Sequence, residues 1–376
     1  ALIVMCVSYY KAAGLGTTQA AVGPVASVKR GDVTTSFANA SGASVEITNF
    51  GGIIRAINVP DRDGKIGNVV LGYKDVSGYQ PLCGYLGALI GPVGNRIAGA
   101  AFDFGGAHYA FTPNEGSSTL LHSGDFGFHA GLWDVSCEVA ETEGRLVLTR
   151  DFPEEKTGFP GNLKATVTYT FTDANALSIH YHIESDKPSF ASPTNHTYFN
   201  LAGFGMKSLP EVGRQKIEIF ADRYTTIDEK SIPTGTADVT GTPFDLRAPV
   251  KIADGLALEA ENEQLKNGQG YDHNFILSGE KDENGLRLAA RVTDERTGRV
   301  MKVFTDMPGV QFYSGNFLNR YNAAEHRYYK KRMALCLETQ CAPDSVHHAG
   351  ENGFDVMTIE PGRPLDSTTV YQFETL

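Results

Sequence analysis

Apolar and polar residues alternate with a period of two along much of this chain. In Leu163 to Thr172 (LKATVTYTFT), Leu163, Ala165, Val167, Tyr169 and Phe171 fall on one face, and Lys164 and four threonines on the other. Leu177 to Glu184 (LSIHYHIE) repeats the pattern with Leu177, Ile179, Tyr181 and Ile183. Such alternation predicts half-buried antiparallel strands, and Asp173-Ala174-Asn175 between them predicts a hairpin turn. Similar short runs at Ser44 to Thr48, Val69 to Gly72, Leu146 to Thr149, Lys216 to Phe220, Leu286 to Thr293 and Met301 to Thr305 are punctuated by Gly, Pro, Asn and Asp. Helix-like text is scarce, and Leu256 to Leu265 is its best example. No Pro- or Ser-rich linker and no internal repeat divides the chain after its first residues. The pattern predicts an all-β fold: one large antiparallel β-sandwich from about residue 30 to residue 376, preceded by an N-terminal extension, residues 1–29.

That extension begins with Ala1 to Val7 (ALIVMCV), which is apolar but too short to span a bilayer. It reads either as the remnant of a signal peptide ending near Gln19-Ala20-Ala21 or as a disordered tail. The corresponding locations are periplasmic or secreted in the first case and cytoplasmic otherwise. No other stretch resembles a membrane segment.

Composition narrows the partners. The 376 residues carry a formal net charge of -11, which disfavours a nucleic-acid partner, because phosphate binding wants a basic surface. Hydrophobic residues at 41% and charged residues at 20% are ordinary for a globular protein. Cys6, Cys83, Cys137, Cys336 and Cys341 are scattered and odd in number, and form no CxxC pair. They support neither a zinc site nor a disulfide framework, and fit a reducing compartment.

Candidate chemistry gathers in glycine-rich, aromatic text. Gly91 to Gly99 (GPVGNRIAG) holds Asn95 and Arg96; Leu120 to Gly124 (LLHSG) holds His122; Pro193 to Leu201 (PTNHTYFNL) holds His196 and Tyr198. Leu335 to Gln340 (LCLETQ) holds Glu338, Tyr271 to Phe275 (YDHNF) holds Asp272, and Pro308 to Asn316 (PGVQFYSGN) holds Gln311. A single histidine in such text is more often a satisfied or exposed residue than a catalyst, and an Asn-Arg pair is usually a surface turn or an ion pair. Glu338 is less ordinary: a strand through Leu335-Cys336-Leu337 buries both faces, so its carboxylate must find a partner or line a cavity. On that strand Cys336, Glu338 and Gln340 share a face, as His196 and Tyr198 would on theirs. The sequons at Asn39-Ala40-Ser41 and Asn195-His196-Thr197 are weaker signals, and modification of the second would block the candidate site. His347-His348 reads as solvated. There is no phosphate loop, HExxH or GxSxG, and Gly14-Leu15-Gly16 lacks the context of a dinucleotide fold.

These clusters occur in the order NRI, LH-G, TNHTYFNL, DHNF, PGVQFYSGN and LETQ…PD. With Ile232 to Arg247 (IPTGTADVTGTPFDLR) and the terminal Pro361 to Phe373, the chain resembles the aldose 1-epimerase family, the galactose mutarotases, from about residue 30 onward. The resemblance implies a sandwich of the galactose-mutarotase type and interconversion of the α and β anomers of free aldoses such as galactose and glucose. It implies His196 as general acid and Glu338 as general base, with Asn95, Arg96, His122, Asp272 and Gln311 at sugar-contacting positions and Tyr198 in the same cleft. The implied enzyme is an isomerase with no metal or organic cofactor, a small-molecule aldose substrate, no nucleic-acid or membrane partner, and a monomeric or weakly dimeric state. Pro92 stands where many relatives carry arginine and Ser123 where they usually carry glycine, which leaves sugar preference open.

The chemistry suits these residue types. The C1 hydroxyl loses a proton, the ring oxygen gains one as C1–O5 breaks, and the open aldehyde rotates and recloses. An ionised carboxylate serves as base. An imidazole with an ordinary pKa near 6.5 is about one-quarter protonated at pH 7 and serves as acid. On ordinary pKa values the acid limb of the pH profile belongs to the carboxylate and the basic limb to the imidazole. Phe312 and Tyr313 are candidates to pack on the sugar's apolar face. Rival readings are a hexose-phosphate 1-epimerase, which needs a basic pocket; a glycoside hydrolase using Glu338 and Asp272; a non-catalytic sugar-binding protein; and a metal site built from His122, His196, Asp272 and Glu338.

Overall fold

The computed structural model describes residues 9–10, 25–28, 32–74, 76–79, 84–204, 210–322 and 327–376. Cys6, Cys83 and most of the expected N-terminal extension lie outside the described residues. Two short strands precede the boundary expected near residue 30: Tyr9–Tyr10 pairs with Val33–Ala38, and Val25–Val28 with Asp134–Val139.

Leu163–Thr172 and Ala176–Ser185 form the predicted hairpin, in register from Leu163 opposite Ser185 to Phe171 opposite Leu177. The turn is closed by Asn175 at φ 60°, a left-handed conformation asparagine tolerates well. The hairpin lies in a ten-stranded sheet. Leu365–Thr375, nearly the last residues of the chain, is inserted between Ala176–Ser185 and Arg299–Thr305, so the C-terminus closes the sheet's centre. A five-stranded sheet near the N-terminus includes Val33–Ala38, Ser44–Thr48 and Ile54–Pro60. A second five-stranded sheet runs in the order Pro233–Asp238, Ala221–Ile227, Asp272–Leu277, Gly309–Tyr313, Cys336–Gln340. Residues of all three sheets, among them Phe37, Val167, Ile179, Phe312 and Leu337, pack in one apolar cluster. This is the expected all-β sandwich.

Some local readings differ. Val69 to Gly72 is not a strand; Val70 makes one isolated bridge to Phe199. Leu256 to Leu265 is not one helix but the end of Ile252–Leu256, a run of turns, and the start of Glu263–Gly268. The Asn262 side chain accepts a hydrogen bond from Leu265 N, capping a new helix where a continuous one would have run.

The second five-stranded sheet positions the site. Strand alternation sends Leu335 and Leu337 into the main core and turns Glu338 the other way. Across the sheet Asn274 faces Gln311 and Gln311 faces Glu338; one step along, Asp272 faces Tyr313 and Tyr313 faces Cys336. The outward face of these strands is therefore a patch of polar groups, buried under the loops that follow Tyr85, Asn95, His122 and Asn195.

Candidate active site

Glu338 is only 2% exposed, and its Oε2 has no hydrogen-bond partner among the described residues. Its Oε1 lies 3.8 Å from His196 Nε2. His196 is held by its backbone: its N–H donates to Ala88 O, and its carbonyl accepts from Gly87 N. Its Nδ1 sits 3.5 Å from Cys336 Sγ, leaving Nε2 to face the carboxylate. Tyr198 flanks the ring at 5.0 Å between centroids, Tyr85 at 5.9 Å and His122 at 5.3 Å.

His122 is at φ 50° in the Leu-His-Ser-Gly turn, which swings its ring inward. Asn95 N donates to His122 Nδ1 at 3.0 Å. Nδ1 is thus an acceptor, so the neutral ring carries its proton on Nε2. Arg96 forks onto Glu115 through Nε (2.6 Å) and Nη2 (2.8 Å), and its Nη1 lies 3.9 Å from Asp272 Oδ2. Gln311 Nε2 donates to Asp272 Oδ1 at 2.8 Å, which fixes that carboxylate from behind.

Asn95, Arg96, His122, His196, Tyr198, Asp272 and Glu338 all line one cleft of about 290 Å³. Gln311 is the exception among the sequence candidates: it is buried in the sheet and does not line the cleft, acting on it through Asp272. Phe312 is a correction to the expected sugar-packing pair. It faces the main core and stacks on Tyr271, while Tyr313, its neighbour on the opposite face, lines the cleft. Tyr85, Glu115, Phe317 and Arg320 also line it and were not found from sequence. Tyr85, Glu115 and Phe317 come from irregular segments, and Arg320 opens the three-residue strand Arg320–Asn322, too short for a periodicity to mark it. Only the need of a cleft arginine for a carboxylate pointed toward Glu115, and it gave no position.

Pro92 and Ser123 stand behind the cleft wall. Ser123, at φ 64°, donates its hydroxyl to Val93 O (2.8 Å) and accepts from Val93 N (2.9 Å), tying the His122 turn to the Asn95 loop. Asn195 is buried, its side chain bonded to Gly87 O, Thr197 N and Thr197 Oγ1, so the folded sequon is closed to modification. His347 is exposed, as expected, and pairs with Asp344, whereas His348 is half-buried rather than solvated and pairs with Glu351.

Burial governs the charges. It pushes the His196 imidazole down to about 4 and His122 well below its ordinary value. It pushes the Glu338 carboxyl well above the usual range, with Asp272 adding to the rise and Arg96 opposing it. Asp272 is raised by burial against the pull of Arg96 and Gln311. The ligand atoms of His122, His196 and Glu338 lie within 4.8 Å of one another, so this trio also has the spacing to hold a metal ion.

A carboxylate and an imidazole meet at the floor of a polar cleft, at the edge of a sheet in an all-β sandwich, and comparison with known proteins gives the class of protein as a sugar isomerase. The sequence matches the family described as aldose 1-epimerase over residues 34–372. It is 39% identical over 332 residues to galactose mutarotase of Mus musculus, covering 88% of this chain and 91% of that one. It is 35% identical over 336 residues to aldose 1-epimerase of Escherichia coli K12, covering 89% and 93%. An aldose epimerase homologue from C. elegans superposes with a TM-score of 0.80 at 27% identity, covering 91% of this chain and 99% of that one. A galactose 1-epimerase from Lactobacillus acidophilus gives 0.78 at 25% identity, covering 94% and 99%. The chain belongs to the aldose 1-epimerase family.

Proposed function

We propose that this protein equilibrates the α and β anomers of free aldoses, galactose and glucose among them, with Glu338 as general base and His196 as general acid. The observation that carries this reading is the 3.8 Å approach of His196 Nε2 to Glu338 Oε1 at the floor of the cleft. The two oxygens that exchange protons in a hemiacetal are bonded to the same carbon. Their acid and base must therefore be close neighbours, as these two are.

The shifted pKa values supply a driving force. An imidazolium–carboxylate pair and an imidazole–carboxylic acid pair hold the same single proton. Ring opening moves the C1 hydroxyl proton to Glu338 and the His196 proton to O5, which converts the charged pair into the neutral one. Burial disfavours both charges, so it favours this direction, and reclosure on either face of the aldehyde restores the pair. His122 Nε2–H and Arg96 donate to sugar oxygens, and Asp272 accepts from a hydroxyl, with Arg96 opposing the rise that burial imposes on its carboxyl.

A sugar phosphate fits less well. Arg96 and Arg320 line the cleft, but so do Glu115, Asp272 and Glu338, and Arg96 is engaged by two of these carboxylates. A binding module without catalysis would need neither His196 nor Glu338. Residues 30–376 are taken as one catalytic domain, a division supported by the family match from residue 34 to 372. No helix among the described residues is long and apolar enough to cross a membrane. Cys137, Cys336 and Cys341 are buried free thiols, which supports a reducing, cytoplasmic setting.

Polarimetry of freshly dissolved α-D-galactose and α-D-glucose with the purified protein tests the activity. No step here needs a metal, so the rate should survive dialysis against EDTA. Loss on chelation, restored by a divalent ion, would make the His122–His196–Glu338 trio a metal centre instead.

A further inference from the structure

Three successive residues of the His122 turn lie at positive φ: His122 at 50°, Ser123 at 64° and Gly124 at 66°. Glycine adopts that region freely, but a histidine and a serine do so at a steric cost, and the contacts around them must hold them there. Those contacts are specific. His122 N donates to Asn95 O at 2.9 Å, and Asn95 N returns a bond to His122 Nδ1 at 3.0 Å. The Ser123 hydroxyl donates to Val93 O and accepts from Val93 N, so one side chain satisfies both backbone groups of a single residue on the facing loop. The same stretch is anchored from its other side: Ser192 N donates to Pro92 O and Gly94 N to Ser192 O, both at 2.8 Å, in the segment that runs on to His196.

Ser123 is buried and does not line the cleft, so any effect it has on a sugar passes through what it holds. Only Gly94 separates Val93 from Asn95, and fixing Val93 fixes where Asn95 N points. That N–H decides the chemistry of the His122 ring. Burial keeps the imidazole neutral, and a neutral imidazole has a single N–H. While Nδ1 accepts from Asn95 N, the proton sits on Nε2 and the ring is a donor there. Once Asn95 N moves away, either nitrogen can carry the proton, and the tautomer with a bare Nε2 accepts where a sugar oxygen needs a donor.

We infer that Ser123 is a positioning residue for the sugar: by clamping Val93 it holds Asn95 N on His122 Nδ1 and so keeps His122 Nε2 a hydrogen-bond donor to the substrate. Its kinetic consequence rests on the anomer-equilibrating role of the cleft; its effect on the tautomer does not. The clamp touches neither His196 nor Glu338, and the proton transfers are unchanged by it. A donor lost from the His122 arm is missing in ground and transition states alike, so the mark of Ser123 falls on KM and not on kcat.

Two variants test this. Ser123→Gly and Ser123→Ala both delete the hydroxyl, but glycine sits at φ 64° without strain and alanine does not, so an effect common to both belongs to the hydroxyl. Each should raise KM for galactose about five- to tenfold by polarimetry, with kcat within about twofold of wild type. Ile179→Val, in the core of the ten-stranded sheet, lowers stability without touching the clamp and should leave both constants within about twofold. Nitrogen-15 NMR of the imidazoles reads the tautomer directly, the His122 signals being identified by their loss in His122→Gln. The wild-type ring should carry its proton on Nε2, and both Ser123 variants should share it between the two nitrogens. The clamp is overturned if only one Ser123 variant raises KM or neither does, if kcat falls as much as KM rises, if Ile179→Val raises KM equally, or if His122 keeps its proton on Nε2 in both Ser123 variants. If the wild-type protein equilibrates galactose no faster than buffer while the tautomer shifts as expected, the clamp stands and the mutarotase reading fails.

Discussion

The strands Ala176–Ser185 and Cys336–Gln340 treat their polar residues in opposite ways. The first lies in the middle of the ten-stranded sheet, hydrogen-bonded on both sides, yet its Ser178, His180, His182 and Glu184 all reach solvent. The second is at the edge of its sheet, where solvent would be expected, yet all five residues are buried, Glu338 and Gln340 included. His180 and His182 share Asp366 at the surface, where water screens the pairing and it is worth little. Among the described residues Glu338 has His196 beside it, and the more distant charges of Asp272 and Arg96 act on it in opposite directions. A buried carboxylate with an unmatched oxygen is a stability cost. A fold keeps such a group where the unmet valence is what the site uses.

The widest separation between the two strands is expected from single substitutions. Ile179→Ala removes a fully buried side chain and should destabilise the protein by about 2–5 kcal/mol in denaturant melts, with kcat of the folded protein unchanged. Glu338→Gln keeps the shape and removes the base. It should lower kcat at least about 100-fold, with stability little changed, because burial already favours the neutral carboxyl at this position. His196→Asn should act likewise, and the double variant should be little worse than the poorer single, since the two groups work as one unit. A folded Glu338→Gln protein that equilibrates galactose at near wild-type rate would end the mechanism.

The pH profile sharpens the contrast next, because the limbs change owners relative to ordinary pKa values. The active pair carries one proton. As pH falls, a second proton must go onto His196 beside an already protonated Glu338, and burial delays this until about pH 4. As pH rises, the single proton is lost from a carboxyl that burial and Asp272 have raised well above its usual range. The acid limb of kcat/KM should therefore track the imidazole and the basic limb the carboxyl. Measured limbs at the ordinary carboxylate value on the acid side and the ordinary imidazole value on the basic side would show that solvent reaches the pair.

These differences explain what could be read in the sequence. Leu163 to Thr172 was legible because one face is wet, so apolar and polar letters alternate. Glu338 was legible for the opposite reason, as a carboxylate in text that buries both faces. The remaining clustered candidates were visible as motifs. Gln311 and Phe312 show the limit of motif reading: adjacent strand residues cannot share a face, and the structure sends one behind Asp272 and the other into the core. Glu115, Tyr85 and Phe317 lie in segments whose placement depends on how distant loops close over the sheet, and no local period encodes that. The break at Asn262 was lost because its capping bond competes with a helix pattern that otherwise continues.

The smallest effects belong to the arm that holds the sugar, and they grade with distance from it. Arg96→Ala removes a donor from the cleft and leaves Asp272 buried without the cation that opposes its rise. Asp272 then takes up a proton more readily and accepts poorly from a hydroxyl. Binding is lost in ground and transition states alike, so KM for galactose should rise about tenfold or more with kcat little changed. Glu115 acts one step back. Its side chain is 35% exposed, so screening discounts the charge it presents to Arg96. Glu115→Gln keeps the shape and one acceptor oxygen for the guanidinium, and the Asp272 side of Arg96 is untouched. The cation is held less firmly but not released, so KM should rise only about two- to fivefold, again at constant kcat. Full saturation curves on the two variants separate the cases. If Glu115→Gln lowers kcat as strongly as it raises KM, Glu115 acts on the proton transfers and not on the placement of Arg96. If Arg96→Ala leaves both constants untouched, Arg96 has no part in holding the sugar, and the graded order from Glu338 outward fails with it.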